Sequence, residues 1–236
     1  MIFWVLERAL AATRIARVIV ATDNARVLEA VNAAGYEAVM TRGDHVSGTD
    51  RLAEVALAIS DADIIVNVQG DEPLISPDTI DRAVDALLTD DKCQLATTWE
   101  PIASAADVLS PDVVKVVLDN DGHALYFSRA PVPYPRDATR RHGSIEAALE
   151  NEPELISGFR KHTGLYAYRR DFLLEFARWP QSELEQAESL EQLRAIEHGI
   201  KIRVVQSGIP SIGVDTGEDL ERVRAIMEGS SALAYE

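Results

Sequence analysis

Short apolar runs rich in β-branched residues recur through the first half of the chain. The runs at 17–21, 36–40, 63–68 and 95–99 predict strands, and the first and third are apolar enough to be covered on both faces. Amphipathic stretches with helical spacing lie between them. These repeated strand–helix–strand units predict an α/β fold with a mostly parallel sheet and helices on both faces.

Capping residues mark where the helices of this half begin. Asp23 or Asn24 precedes an amphipathic stretch that stops at Gly35, and Asp50 precedes the next one. Ser76, followed by proline, is typical of an N-cap and a first helical position. The spacing therefore predicts three helices that alternate with the strands.

The second half of the chain changes pattern. Two apolar segments flank Asn120-Asp121-Gly122, which predicts a hairpin, and the charged residues 136–154 indicate an exposed helix or arm. Alternation then returns, with strands expected at 164–168 and 202–206 and a continuous helix over 186–197.

Composition narrows the classes of function. Hydrophobic residues make up 47% and charged residues 26%, as in globular proteins. The net charge of −16 leads us to expect no nucleic acid and no anionic membrane as a partner. The single cysteine, Cys93, excludes an internal disulfide and fits a cytoplasmic location.

Two aspartates are the leading candidates for chemistry. Asp71 follows an apolar strand, at the end where open α/β sheets bind ligands, and with Glu72 it can hold a hard divalent cation; alternatively it shapes a turn. Asp215 and Glu218 have the spacing of a capping box, so spacing alone favours a helix N-cap for Asp215. Both roles can coexist, because one carboxylate oxygen can cap while the other faces a cation.

Other polar positions give weaker signals. The loop Ser47-Gly48-Thr49 has small residues that let backbone amides approach a ligand. His45 and His162 belong to a residue type that is more often structural than ligating. Lys115 lies inside an apolar strand, where an ion pair and a substrate contact are both open.

Taken together, these segments resemble the 3-deoxy-D-manno-octulosonate cytidylyltransferases, also called CMP-KDO synthetases. The combination is specific, although each motif alone is not. The matching motifs occur in family order and cover almost the whole chain, at 21–23, 40–41, 45–51, 66–73, 114–119, 124–129, 162–169, 190–194 and 213–216.

The resemblance implies a Rossmann-like, glycosyltransferase-A-like nucleotidyltransferase fold. It implies an enzyme that joins CTP to 3-deoxy-D-manno-octulosonate and releases pyrophosphate, for lipopolysaccharide biosynthesis. It also implies a homodimer, in which 1–236 is a single domain and 113–170 is an inserted hairpin and arm at the dimer interface.

The resemblance further implies the residues of the site. Catalytic Mg²⁺ would be held by Asp71 and Asp215. Nucleotide contacts match Ser47, Gly48, Thr49 and Gln69. The sugar-acid pocket matches His162, Tyr166, Glu191 and Gln192, and further candidate contacts are Arg51 and Arg129.

One feature of the family has no counterpart in this sequence. The family opens with a strand and a basic loop that cradles the triphosphate, whereas this sequence opens with an amphipathic, uncapped helical pattern. We therefore expect material upstream in the natural protein, and slow or absent CTP turnover by the sequence as written. Activation of another sugar acid, such as an amino-octulosonate or a sialic acid, and a non-catalytic relative remain alternatives.

Overall fold

A computed structural model describes residues 1–45, 47–209, 213–214 and 216–233. The strands are β1 (Val20–Thr22), β2 (Ala38–Met40), β3 (Ile64–Asn67), β4 (Leu95–Pro101), β5 (Lys115–Leu118), β6 (Ala124–Ser128), β7 (Arg160–Arg169) and β8 (Ile202–Gln206). The helices are α1 (Ile2–Leu10), α2 (Ala25–Ala33), α3 (Gly48–Ala58), α4 (Pro77–Thr89), α5 (Ala105–Leu109), α6 (Arg136–His142), α7 (Ile145–Asn151), α8 (Arg170–Phe176), α9 (Glu183–Glu188), α10 (Gln192–Glu197) and α11 (Gly217–Leu233), with a 3₁₀ helix over Pro153–Gly158.

Strand β7 lies in the middle of a six-stranded sheet. It pairs antiparallel with β4 along one side and with β5 and β3 along the other. Strand β4 also pairs in parallel with β8, and β5 forms the predicted hairpin with β6. Strands β1 and β2 form a separate parallel pair. The predicted α/β class is confirmed.

The direction of β7 corrects one detail of that prediction. Among the described strands of the main sheet, β3, β4, β5 and β8 point one way, while β6 and β7 point the other way. The sheet is therefore mixed rather than mostly parallel. The reason is that β7 follows the hairpin and the helical arm, and enters between β3 and β4 in the reverse direction.

Helices cover both faces of this sheet. Neighbouring residues of one strand point into different cores: Leu95 and Tyr168 pack with α3, α8 and α10, whereas Ala96 and Ala167 pack with α1 and α4. This alternation is what a strand buried on both faces requires. None of the described helices combines the length and the apolar composition that crossing a bilayer requires.

The region predicted as one helix over 186–197 contains two. Helix α9 ends at Glu188, Ser189 adopts a left-handed φ of 52°, and α10 begins at Gln192. The break turns Leu190 into the core while its neighbour Glu191 faces the other half of the chain. Helical spacing of apolar residues alone does not reveal such a break.

Lys115 is fully buried, and its hydrogen bonds give it a role that differs from the two that the sequence left open. Its ammonium donates hydrogen bonds to the backbone carbonyls of Ser110 (2.8 Å), Val113 (2.6 Å) and Arg129 (2.6 Å). Burial lowers the pKa of this ammonium. Its hydrogen-bond partners are thus main-chain carbonyls, and the residue fastens the entry of β5 to the exit of β6.

Replacing Lys115 by methionine is expected to lower the free energy of unfolding by about 2–4 kcal/mol, because three part-buried carbonyls lose their shared donor. Urea denaturation measures the change. The matched control is Lys201→Met at an exposed lysine, which should shift the value by less than about 0.5 kcal/mol. Equal shifts in the two variants would show that the three hydrogen bonds do not stabilise the fold.

Candidate active site

The segments that carry the two predicted metal-binding aspartates meet beyond the end of β3. Asp71 lies in an exposed turn, and its backbone carbonyl accepts a 2.8 Å hydrogen bond from the backbone N–H of Val214. The approach is close, since a Cβ atom placed on Gly213 would lie 3.3 Å from a carboxylate oxygen of Glu72. Asp215, the next residue of the chain, lies outside the described residues.

Helix α11 begins with a reciprocal cap made by described residues. The Thr216 hydroxyl accepts from the Asp219 backbone N–H (3.2 Å), and the Asp219 carboxylate accepts from the N–H and the hydroxyl of Thr216 (2.9 and 2.7 Å). This reciprocal cap joins Thr216 to Asp219 at a helix that starts at Gly217, whereas the pair predicted from spacing, Asp215 with Glu218, includes a residue outside the described residues.

The small-residue loop forms the first turn of α3. Ser47 is the N-cap, and its hydroxyl accepts from the backbone N–H of Asp50 at 3.2 Å. The expectation that Asp50 caps this helix is wrong, because the helix begins at Gly48. Thr49 is buried and Gly48 is exposed, so the amide-rich start of the helix stays open to negatively charged ligand atoms.

Glu191 connects this loop to the second half of the chain. Its carboxylate accepts hydrogen bonds from Ser47 Oγ (3.0 Å), Thr49 Oγ1 (2.6 Å) and Arg194 Nη2 (2.9 Å). Burial raises the pKa of the carboxyl group, and the two hydroxyls and Arg194 oppose that rise. Glu191, which the resemblance assigns to the sugar-acid pocket, thus fixes the side chains of Ser47 and Thr49, which it assigns to the nucleotide.

His162 lies buried on β7, with its ring 5.4 Å from that of Tyr166 on the same face. Its Nε2 is 2.9 Å from Thr97 Oγ1, and the Thr97 hydroxyl donates to the Leu165 carbonyl at 2.7 Å. Burial lowers the pKa of His162 to about 3. The imidazole is therefore neutral near pH 7, and its environment is that of a buried, hydrogen-bonded histidine.

The two glutamines occupy contrasting positions. Gln69 is exposed beyond β3, with its side chain 3.7 Å from where a Cβ on Gly164 would lie. Gln192 is buried at the start of α10, and its Nε2 has no hydrogen-bond partner among the described residues. An unpaired buried donor is a group that a ligand oxygen can satisfy.

A small cleft of about 90 Å³ joins the strand-end turn to β7. Lys161, three residues before Gly164, lies 3.7 Å from the buried Glu100 carboxylate in this cleft. Sequence reasoning missed Lys161 and Glu100. Their signal was weak, because each is a single charged residue at the edge of an apolar segment. The cleft is lined by Gln69, Glu72, Glu100, Lys161, His162 and Thr163, among others.

The two further candidate arginines make contacts within the protein. Arg51 donates to the Asp23 carboxylate at 2.8 Å. Arg129 donates from Nε to the Glu188 carbonyl (2.7 Å) and from Nη1 to the Pro111 carbonyl (2.9 Å). These contacts give both side chains structural partners.

Comparisons with known proteins identify the family. The family described as Cytidylyltransferase matches residues 1–202. The chain is 52% identical to the 3-deoxy-manno-octulosonate cytidylyltransferase of Pelobacter propionicus over 233 residues, which covers 96% of this chain and 88% of the relative. It is 47% identical to the protein of the same name from Trichlorobacter lovleyi, over 97% of this chain and 88% of the relative.

Solved structures show the same relationship. A CMP:2-keto-3-deoxy-manno-octonic acid synthetase complexed with CTP superposes with a TM-score of 0.84 at 45% identity, covering 97% of this chain and 88% of that one. A 4-diphosphocytidyl-2C-methyl-D-erythritol synthase from Anaerococcus prevotii shares only the fold, with a TM-score of 0.57 at 13% identity over 95% and 84% of the two chains. The predicted nucleotidyltransferase fold is confirmed, and the chain belongs to the cytidylyltransferase family.

Proposed function

We propose that this protein is a cytidylyltransferase that joins CTP and 3-deoxy-D-manno-octulosonate to form CMP-KDO and pyrophosphate. Relatives about half identical over nearly the whole chain carry that name, and a solved relative is complexed with CTP. Within the structure, the observation that carries the proposal is the hydrogen bond from Val214 to Asp71. It brings the segment that leads into Asp215 to the turn that holds Asp71.

The reaction sets a clear electrostatic problem. A hydroxyl of the sugar acid attacks the α-phosphorus of CTP, loses its proton, and pyrophosphate leaves with the electrons of the broken P–O bond. Both substrates are anions, and the chain itself carries a net charge of −16. Because the chain has no general positive field, catalysis depends on precise positioning and on local neutralisation of charge.

Magnesium fits the residues at the strand end. Asp71 offers an exposed carboxylate beyond β3, and oxygen ligands are those that Mg²⁺ prefers. We propose that Asp71 and Asp215 hold the ion. When bound, Mg²⁺ neutralises phosphate charge and polarises the phosphoryl oxygens.

The remaining residues bind and orient the substrates. We assign the nucleotide to Ser47, Gly48, Thr49 and Gln69. We assign the sugar acid to His162, Tyr166, Glu191 and Gln192. The hydrogen bonds from Ser47 and Thr49 to Glu191 support a shared wall between the two subsites, since one carboxylate fixes both loop hydroxyls. A wall fixed by hydrogen bonds in this way keeps its geometry when the substrates enter.

We place this activity in the cytoplasm, where a single free cysteine is stable.

We also propose a homodimer that uses the inserted subregion 113–170. Its proline-rich segment exposes 60% of Tyr134, and aromatic residues are enriched at interfaces. Sedimentation velocity is expected to show twice the chain mass, and Tyr134→Asp should shift the equilibrium toward monomer; a monomer in the unchanged protein would contradict the proposal.

Incubation with CTP, Mg²⁺ and 3-deoxy-D-manno-octulosonate is expected to yield CMP-KDO and pyrophosphate, identified by mass spectrometry at the end point. Parallel incubations with an amino-octulosonate and with a sialic acid test the alternatives. Product from either of these, and none from the octulosonate, would overturn the assigned substrate.

Asp71→Asn is expected to reduce product formation by about 100-fold or more, because a ligand that neutralises phosphate charge is lost. The thermal unfolding temperature should change little, since the side chain is exposed. Asp112→Asn removes an equally exposed carboxylate elsewhere and serves as the control. Unchanged turnover in the Asp71 variant would remove this residue from the metal site.

A further inference from the structure

We propose that Asp90, Cys93 and His123 form a binding site for a zinc-type transition-metal ion. The three ligand atoms lie within 4.8 Å of one another. Cys93 precedes β4, whereas Asp71 follows β3, and these strands point the same way. The cluster therefore lies at the opposite edge of the sheet from Asp71, and the inference is independent of the proposed function.

The spacing of the three side chains suits a tetrahedral ion. Asp90 Oδ2 lies 3.3 Å from Cys93 Sγ and 3.2 Å from His123 Nε2. Ligands at about 2.0–2.3 Å from a tetrahedral zinc ion are separated from one another by roughly 3.3–3.8 Å. Small side-chain adjustments are therefore enough to place all three around one ion.

The second nitrogen of His123 supplies an independent observation. The residue is only 8% exposed, and its Nδ1 is buried without a hydrogen-bond partner among the described residues. That nitrogen lies 3.5 Å from Asp119 Oδ2. The other oxygen of Asp119 is fixed by the backbone N–H groups of Asp121 and His123 (2.9 and 2.8 Å).

This arrangement matches the way proteins orient a metal-binding histidine. A ligating imidazole usually donates its other N–H to a carboxylate, which fixes the ring and increases its basicity. Here Nε2 faces the Asp90 and Cys93 ligands, and Nδ1 faces Asp119. The histidine thus has a metal-facing side and a supporting side.

A hydrogen-bonded cluster without metal, here called the clasp, is the competing explanation. In that account Cys93 and His123 both donate to the Asp90 carboxylate, and Nδ1 of His123, 3.5 Å from Asp119 Oδ2, makes no hydrogen bond among the described residues. A bound ion would use the ligand atoms of all three side chains. His123 would then carry its proton on Nδ1, the nitrogen that faces Asp119. When it binds, the Cys93 proton passes to solvent, so one thiolate and one carboxylate balance a divalent charge.

The donor set also selects the kind of ion. Thiolate and imidazole favour zinc over magnesium or calcium, which take oxygen ligands. Asp90 keeps 26% of its side chain exposed, so water has access to a fourth ligand position. The ion would join the end of α4, the entry of β4 and the β5–β6 hairpin.

The test titrates the full-length protein, reduced and freed of metal by a chelator, with Co²⁺. A sulfur-to-cobalt charge-transfer band should grow to saturation at one ion per chain, and because Cys93 is the only thiol the band reports this site alone. Zn²⁺ should abolish the band and raise the unfolding temperature. Excess Mg²⁺ should leave the band unchanged, which separates this site from that of Asp71.

Variants identify the ligands. Cys93→Ser should lose the band. His123→Asn should weaken Co²⁺ binding more than 100-fold, and Asp119→Asn, which leaves every proposed ligand in place, by about 10- to 100-fold. The control is Asp91→Asn, next to Asp90 with its side chain 98% exposed, which should bind as the unchanged protein does. Absence of the band in the unchanged protein, or equal affinity in the His123 and Asp91 variants, would overturn the proposal in favour of the clasp.

Discussion

The antiparallel pairing of β7 with three other strands is the interaction on which the rest of the structure depends. It links β4 on one side to β3 and β5 on the other, so the two halves of the chain share one sheet. Because strand side chains alternate, one face of β7 carries His162 and Tyr166, and Leu165 and Ala167 enter the opposite core. A shift of one residue would exchange these faces and displace the cleft together with the core.

Much of the fold could be predicted from the sequence, because helical and strand spacing are local properties. Apolar runs located the strands, and Asn24 and Ser76 were placed correctly at the starts of α2 and α4. The direction of β7 could not be predicted, since the apolar pattern of a strand is the same whether it lies parallel or antiparallel to its neighbours. The break at Ser189 was missed because it depends on how Leu190 and Glu191 pack against distant residues.

The candidate site was less predictable from local pattern. Its residues were identified through the resemblance, and their mutual contacts join positions far apart in the chain: Glu191 is 144 residues from Ser47. Lys115 shows the same limit, because its three carbonyl partners become visible only when the hairpin is folded. For Cys93 and His123 the sequence indicated no shared role, since nothing in their spacing relates the end of α4 to a hairpin.

The hydrogen bonds of Thr97 set which nitrogen of His162 carries the proton. With the Thr97 hydroxyl assigned as donor to the Leu165 carbonyl, its oxygen accepts a hydrogen bond from Nε2–H of the ring. A neutral ring with its proton on Nε2 leaves Nδ1 as an acceptor. A group that hydrogen-bonds to this nitrogen must supply the hydrogen, so an ionised carboxylate is excluded and a hydroxyl or an N–H group is accepted. At this position the ring therefore distinguishes hydrogen-bond donors from acceptors. It does so at every pH at which the imidazole is neutral.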